Sequence, residues 1–189
     1  IFGKVIAGGY PGAGGVGGKK EYMKYLGAGL DDSGMKIKKA FTGGTMTANP
    51  LSCCAGYFTL EEIDKTNACQ KAGEMGDRLT TGLQELIAKH GLPFVAWNEG
   101  SVCHLETVGT MHYVVDWKRP WTIPGVLSAT SERKKEMQYM GAAYMAEGLV
   151  TLAGSRLYTS AAYTPKMIDQ ALQCFDKVFE NVAVKPATK

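Results

Sequence analysis

The sequence predicts an α/β chain in two parts, a glycine-rich α/β segment over residues 1–66 and a small α+β unit over residues 67–189. Three observations carry that prediction. Glycine supplies 24 of the 189 residues, well above the usual ~7%, and it is concentrated in the first 60 positions. Apolar residues recur at helical spacing in three long later stretches. Between the first two of these, short runs bounded by Gly and Pro have the texture of strands. With 45% apolar and 21% charged residues, the chain can bury a core, which a disordered polar chain cannot. No G-X-Y period marks a collagen.

Element by element, residues 2–7 read as the end of an apolar strand that runs into a glycine loop over 8–18. A short helix over 19–26 and a polar Gly/Asp/Lys stretch follow. Asn49-Pro50 starts a helix, because Asn caps free N–H groups and Pro is preorganised at the first helical position. Leu51, Cys54, Ala55 and Phe58 then return at helical spacing. A second helix is predicted over 67–90, with Ala72, Met75, Leu79, Leu83, Leu86 and Ile87 on one stripe. Gly91 caps its end and Pro93 stops it. Residues 94–97 and 101–108 read as strands around a turn at Gly100. Pro120, Pro124 and Gly125 predict a loop over 117–130, and 131–152 reads as helix. A strand over 157–160 precedes a last helix begun by Thr164-Pro165, whose core positions include Ile168, Leu172, Phe175 and Phe179. The end from Lys185 is expected to fray.

Charge and cysteine content narrow the function. A net charge of +3 from 21 basic and 18 acidic residues lacks the basic stripe of nucleic-acid binders, so no nucleic-acid partner is expected. Cys53, Cys54, Cys69, Cys103 and Cys174 form no C-x-x-C pair. Neither a metal site nor a disulfide framework is expected, and free thiols point to a reducing compartment, the cytoplasm. No apolar run reaches the ~20 residues of a membrane helix.

The glycine-rich opening admits three readings. Gly12, Gly14 and Gly17 satisfy G-x-G-x-x-G, with Asp31 and Asp32 where a ribose-binding acid of a dinucleotide site would sit. The glycines equally fit turns with positive φ and close backbone packing. The third reading starts from Lys4, at the end of an apolar strand just before the loop. Partial desolvation there lowers an amine's pKa and makes it a nucleophile for Schiff-base chemistry. A lone lysine equally fits a solvated surface.

The order of the surrounding residues favours Lys4. The string G-K-V-I-A-G-G-Y-P-G-A-G-G-V-G-G, residues 3–18, resembles the lysine segment of class III pyridoxal-phosphate aminotransferases. It looks most like the branch containing glutamate-1-semialdehyde 2,1-aminomutase, whose segment reads G-K-x-I-G-G-G-x-P-x-G-A-x-G-G. Further along, G-G-T-M-T-A-N-P-L-S-C-C-A-G at 43–56 is similar to the family's G-T-x-S-x-N-P-L-x-x-x-A-G. Y-T-S-A-A-Y-T-P-K-M-I-D at 158–169 looks like its closing S-x-x-H-T-x-x-D-I-D.

The resemblance implies a fold-type I transferase dependent on pyridoxal 5′-phosphate. Residues 1–66 would be the end of its large cofactor domain and 67–189 its small C-terminal domain. Lys4 matches the lysine that carries the cofactor as an internal aldimine and then shuttles protons. Gly44 and Thr45 match the loop that reaches the cofactor phosphate of the neighbouring subunit in a homodimer. The substrate would be an amino acid or amino-aldehyde. Tyr163 stands where many relatives have His. Ser155 and Arg156 stand where the aminomutase has an acid, which leaves a related aminotransferase open. Arg156 is a candidate for a substrate carboxylate, and equally fits a surface or structural ion pair. The family's phosphate-cup glycines, its stacking aromatic and its pyridine-pairing Asp precede the lysine. Because the text opens at Ile1, an N-terminal half, as a separate chain or as missing residues, is expected as the partner needed for activity. The alternatives are dinucleotide binding at Gly12, Gly14 and Gly17, and a non-catalytic dimerising scaffold.

Overall fold

The computed structural model describes residues 2–12, 14–27, 29–31, 33–41, 43–107, 118–152 and 154–182. The chain folds as two compact units, Ile1–Thr66 and Asn67–Lys189.

In the first unit, β1 (Phe2–Gly3) pairs antiparallel with β2 (Gly14–Gly15), with Phe2 opposite Gly15 and Gly3 opposite Gly14. The strand expected over 2–7 is therefore short, and Lys4–Ala7 turns into a 3-10 helix. The expected helix over 19–26 is split into α1 (Lys20–Met23) and a 3-10 turn, Lys24–Leu26. The long element is α2 (Pro50–Thr66). Asn49 caps it as its sequence predicts: its Oδ1 accepts from Leu51 N at 2.9 Å and Ser52 N at 3.4 Å, satisfying donors that have no intrahelical partner. Gly56 lets α2 approach the Lys4–Ala7 turn, since a Cβ there would stand 3.3 Å from Ile6 O. Ser52 is buried and its Oγ donates to Pro11 O at 2.7 Å, which ties the glycine loop to the start of α2.

In the second unit, α3 (Ala68–His90) packs on one face of an antiparallel sheet and α5 (Pro165–Glu180) packs against α3. Its strands are β3 (Val95–Glu99), β4 (Val102–Glu106) and β5 (Arg156–Tyr158), in that order. Alternation decides the faces. Ala96, Cys103, Leu105 and Leu157 are buried, whereas Trp97, Arg156 and Tyr158 are exposed. Leu79 and Leu83 of α3 meet Phe175 and Phe179 of α5 in the core, and such side chains contribute about 1.5–3 kcal/mol each on full burial. Burial also pushes the Cys103 thiol up. Thr159 anchors the end of β5, its Oγ1 donating to Ala72 O at 2.6 Å.

The helix caps follow the sequence closely at α3 and α5. Gly91 has φ +60, and Leu92 N donates back to Ile87 O at 3.1 Å, the bond that closes a helix with a left-handed residue. Thr164 accepts from Met167 N ahead of Pro165. The fourth helix, α4, departs from expectation. It runs Ile123–Ala146, so it absorbs much of the expected 117–130 loop and stops before 152. Pro124 falls in the first turn, where its missing N–H has no bond to lose. At the other end Gly148 takes φ +90 and Leu149 N donates to Tyr144 O at 2.9 Å. The strand expected over 101–108 ends at Glu106, and its last residue lies outside the described residues.

Asp176 joins α5 to the end of α3. Its carboxylate accepts from Lys89 Nζ at 2.8 Å and contacts His90 Nε2 at 2.6 Å. The Lys89 hydrogen bond and then that of His90 hold its carboxyl below the usual range. A depressed folded pKa stabilises above the unfolded value of about 3.9 and loses that contribution as pH falls through the folded value. The urea midpoint is therefore expected to drop below about pH 4. Asp176→Asn should flatten that drop and destabilise the neutral protein by no more than ~1 kcal/mol, because solvent screens the pair.

Candidate functional site

The first unit brings two of the expected site elements onto one short framework. Lys4 opens the 3-10 turn directly after Gly3, whose partner across the hairpin is Gly14. Its side chain lies outside what the structure describes. Gly8, Gly9 and Gly12 adopt φ of +58, +88 and +77, conformations that a side chain rarely accepts, so the loop after Lys4 needs glycine there.

The loop bearing Gly44 and Thr45 lies against this hairpin. A Cβ on Gly12 would stand 3.3 Å from Met46 Cβ. Gly44 and Thr45 are both exposed, and Thr47 N closes the turn onto Gly44 O at 3.0 Å. Ala48, immediately before the Asn49 cap, holds φ +54, a left-handed conformation strained for a residue with a side chain. A cavity of about 260 Å³ lies beside the loop, lined by Ile6, Gly12, Gly14, Ala48, Ser52 and Tyr57 among others. Among its reactive groups the first unit offers a primary amine just after a strand end and an exposed hydroxyl beside a strained backbone. Ser52 was not visible as a site residue in the sequence, because its role depends on a carbonyl 41 residues away.

The dinucleotide alternative loses its geometry. Gly14 lies in an antiparallel β-strand, and the helix that follows has four residues, where a dinucleotide fingerprint opens a crossover helix between parallel strands. Asp31 is spent locally: its Oδ1 accepts from Ser33 Oγ at 2.6 Å, Met35 N at 2.9 Å and Ser33 N at 3.0 Å. The Ser33 hydroxyl and then the Met35 N–H hold that carboxyl below the usual range. Asp32 lies outside the described residues.

In the second unit, Arg156 is exposed on the outer face of β5, opposite His104, and His104 stacks on Trp97 at a centroid distance of 4.2 Å. The neighbouring cation, Arg133, is committed: its Nε donates to Glu106 at 2.9 Å in a two-pronged pair. Ser155 is buried, which leaves Arg156 as the residue of that pair able to meet a ligand. Among the described residues no helix is long and apolar enough to cross a membrane.

Comparison with known proteins places this geometry in context. The family described as aminotransferase class-III matches residues 1–120. The chain is 30% identical over 189 residues to glutamate-1-semialdehyde 2,1-aminomutase 1 of Staphylococcus carnosus (strain TM300), covering 97% of this chain and 38% of that protein. The namesake of Staphylococcus epidermidis (strain ATCC 12228 / FDA PCI 1200) is 29% identical over 186 residues, again across 38% of its length. Among solved structures, an omega-transaminase from Sphaerobacter thermophilus matches with a TM-score of 0.63 at 17% identity, over 87% of this chain and 34% of that one. A transaminase with PLP bound matches at 0.62 and 15%, over 86% and 33%. These two likenesses fix the fold as that of the transaminases. The chain spans about 38% of the curated relatives it matches.

Proposed function

The chain belongs to the class III aminotransferases, and from that premise we propose that it is the C-terminal portion of an enzyme dependent on pyridoxal 5′-phosphate. The reaction is that of an aminotransferase or 2,1-aminomutase acting on an amino acid or amino-aldehyde. The observation that carries this reading is the position of Lys4, a primary amine at the end of β1 inside the matched segment, followed by a loop that requires glycine.

The donor set fits the cofactor. An amine suits its aldehyde, and the exposed Thr45 hydroxyl with the turn at Gly44 suits its phosphate. When bound, the cofactor supplies the electron sink that makes a substrate C–H acidic. Lys4 would hold it through its Nζ, and the same Nζ would take the proton from the substrate carbon and return it, as a positioned general base and acid. Arg156 pairs with a substrate carboxylate, for which a guanidinium offers two parallel donors.

The remaining partners follow from exposed surface. In the first unit Ala7 and Ser52 are buried, while Leu30, Phe41, Tyr57 and Phe58 are exposed, Phe41 at 93%. Apolar surface of that extent calls for cover, and an N-terminal half of the same enzyme together with a second copy in a homodimer supplies it. The exposed Thr45 loop supports a cofactor site shared between subunits. All five cysteines are free, which supports a cytoplasmic location.

Borohydride reduction of the cofactor-saturated protein followed by peptide mass spectrometry tests the reading. A pyridoxyl adduct on Lys4 is expected; an unmodified Lys4, as a non-catalytic scaffold would leave, overturns it. Thr45→Val should keep that adduct but weaken cofactor binding about 10-fold, the loss expected for one hydrogen bond to a charged group. A fluorescence titration measures it.

A further inference from the structure

The Asn67–Lys189 unit contains a cavity of about 630 Å³, within the size range of small-molecule sites. Its floor is apolar, made by Leu79 of α3 and by Ile168, Ala171 and Phe175 of α5. Arg156 and Tyr158 of β5 and Tyr163 stand on its wall. Arg78 pairs with Asp169 and Arg133 with Glu106. Arg156, by contrast, has no carboxylate partner among the described residues. The backbone adds a donor. Arg156 N and O bond to Leu152 at 3.3 and 3.2 Å, on the edge of β5 away from β4. Tyr158, two residues on, faces the same way, and its N–H has no partner among the described residues.

We propose that this cavity binds an apolar monocarboxylate, with the acid on the Arg156 guanidinium and the Tyr158 N–H and the hydrocarbon body on Ile168, Ala171 and Phe175. An apolar floor under one unpaired cation selects that combination. A second carboxylate would have to leave water against apolar side chains, and an amine there would gain no partner. The inference rests on Arg156 meeting a carboxylate, as proposed above, and narrows the acid to one with an apolar side chain.

The test is calorimetric titration of the full chain without cofactor, so that it stands apart from labelling of Lys4. 4-Phenylbutyrate is expected to bind about 10-fold or more tightly than 4-phenyl-1-butanol, as a charge-assisted pair predicts, and glutarate not measurably. Arg156→Gln should lower the acid to the affinity of the alcohol. Ala171→Phe, folded by circular dichroism, should weaken both by filling the cavity. Equal affinities for acid and alcohol, no effect of Arg156→Gln, glutarate binding as tightly as phenylbutyrate, or a folded Ala171→Phe that binds normally would each overturn the proposal. In cofactor-loaded protein, 2-amino-4-phenylbutyrate should displace 4-phenylbutyrate. Displacement with a change in cofactor absorbance marks the ligand as a substrate acid, displacement without one marks it as a ligand of this unit alone, and no displacement overturns the proposal.

Discussion

Alanine at Gly154 is expected to destabilise the Asn67–Lys189 unit by ~3 kcal/mol or more, enough to lower its melting temperature by about 10 °C. Gly154 holds φ +73, and a Cβ there would stand 2.0 Å from Met137 O, 3.0 Å from Met137 C and 3.2 Å from Gly141 N. All three atoms are backbone of α4, so no side-chain rotation relieves the clash and the helix itself has to move. The left-handed conformation adds about 1 kcal/mol for any residue with a Cβ. Gly76→Ala should do comparable damage, because its Cβ would stand 2.2 Å from Gly100 O and drive the β3–β4 turn off α3. Two neighbours serve as controls. Gly148 also has positive φ, +90, but faces open space, so alanine there should be destabilising by only ~1 kcal/mol. Gly73 lies in α3 with its nearest contact at 3.7 Å, and alanine should stabilise the helix by up to ~1 kcal/mol. Urea denaturation followed by circular dichroism ranks the four. A Gly154→Ala protein as stable as Gly148→Ala would show that α4 does not pack on Gly154 as described.

The same residues show what the sequence could and could not reveal. Caps are local chemistry, so Asn49-Pro50, Gly91 and Thr164-Pro165 located three helix ends without any tertiary information. Pro124 and Gly125 misled for an equally local reason: a proline in the first helical turn looks the same in sequence as one in a loop. The β1–β2 hairpin left no mark, because Gly14 and Gly15 have no side chains to alternate. The proposal for Lys4 rests on the order of residues around it, since one lysine has no periodicity. The cavity beside Arg156 was not legible at all. Its walls come from positions 79 to 175, and only the packing of α3, α5 and β5 brings them together.

Replacing Lys4 should have the largest functional effect of any single change. In the active assembly, Lys4→Ala is expected to abolish the borohydride-trapped adduct and to slow proton removal from the substrate carbon by ~10³-fold, the usual range for loss of a positioned base. Solvent-deuterium exchange at that carbon measures the step directly, independently of product release. Lys4→Arg separates chemistry from charge. It preserves a cation of similar reach, so a lysine that merely balanced the cofactor phosphate would be replaced with little loss. A guanidinium stays protonated at any working pH and can neither condense with an aldehyde nor accept the proton, so Lys4→Arg should be as inactive as Lys4→Ala. Small primary amines added to Lys4→Ala should restore part of the exchange in proportion to their basicity, and Thr45→Val should leave the exchange rate at saturating cofactor unchanged. An active Lys4→Arg protein would remove the amine from the mechanism and leave the Lys4–Ala7 turn a purely structural role.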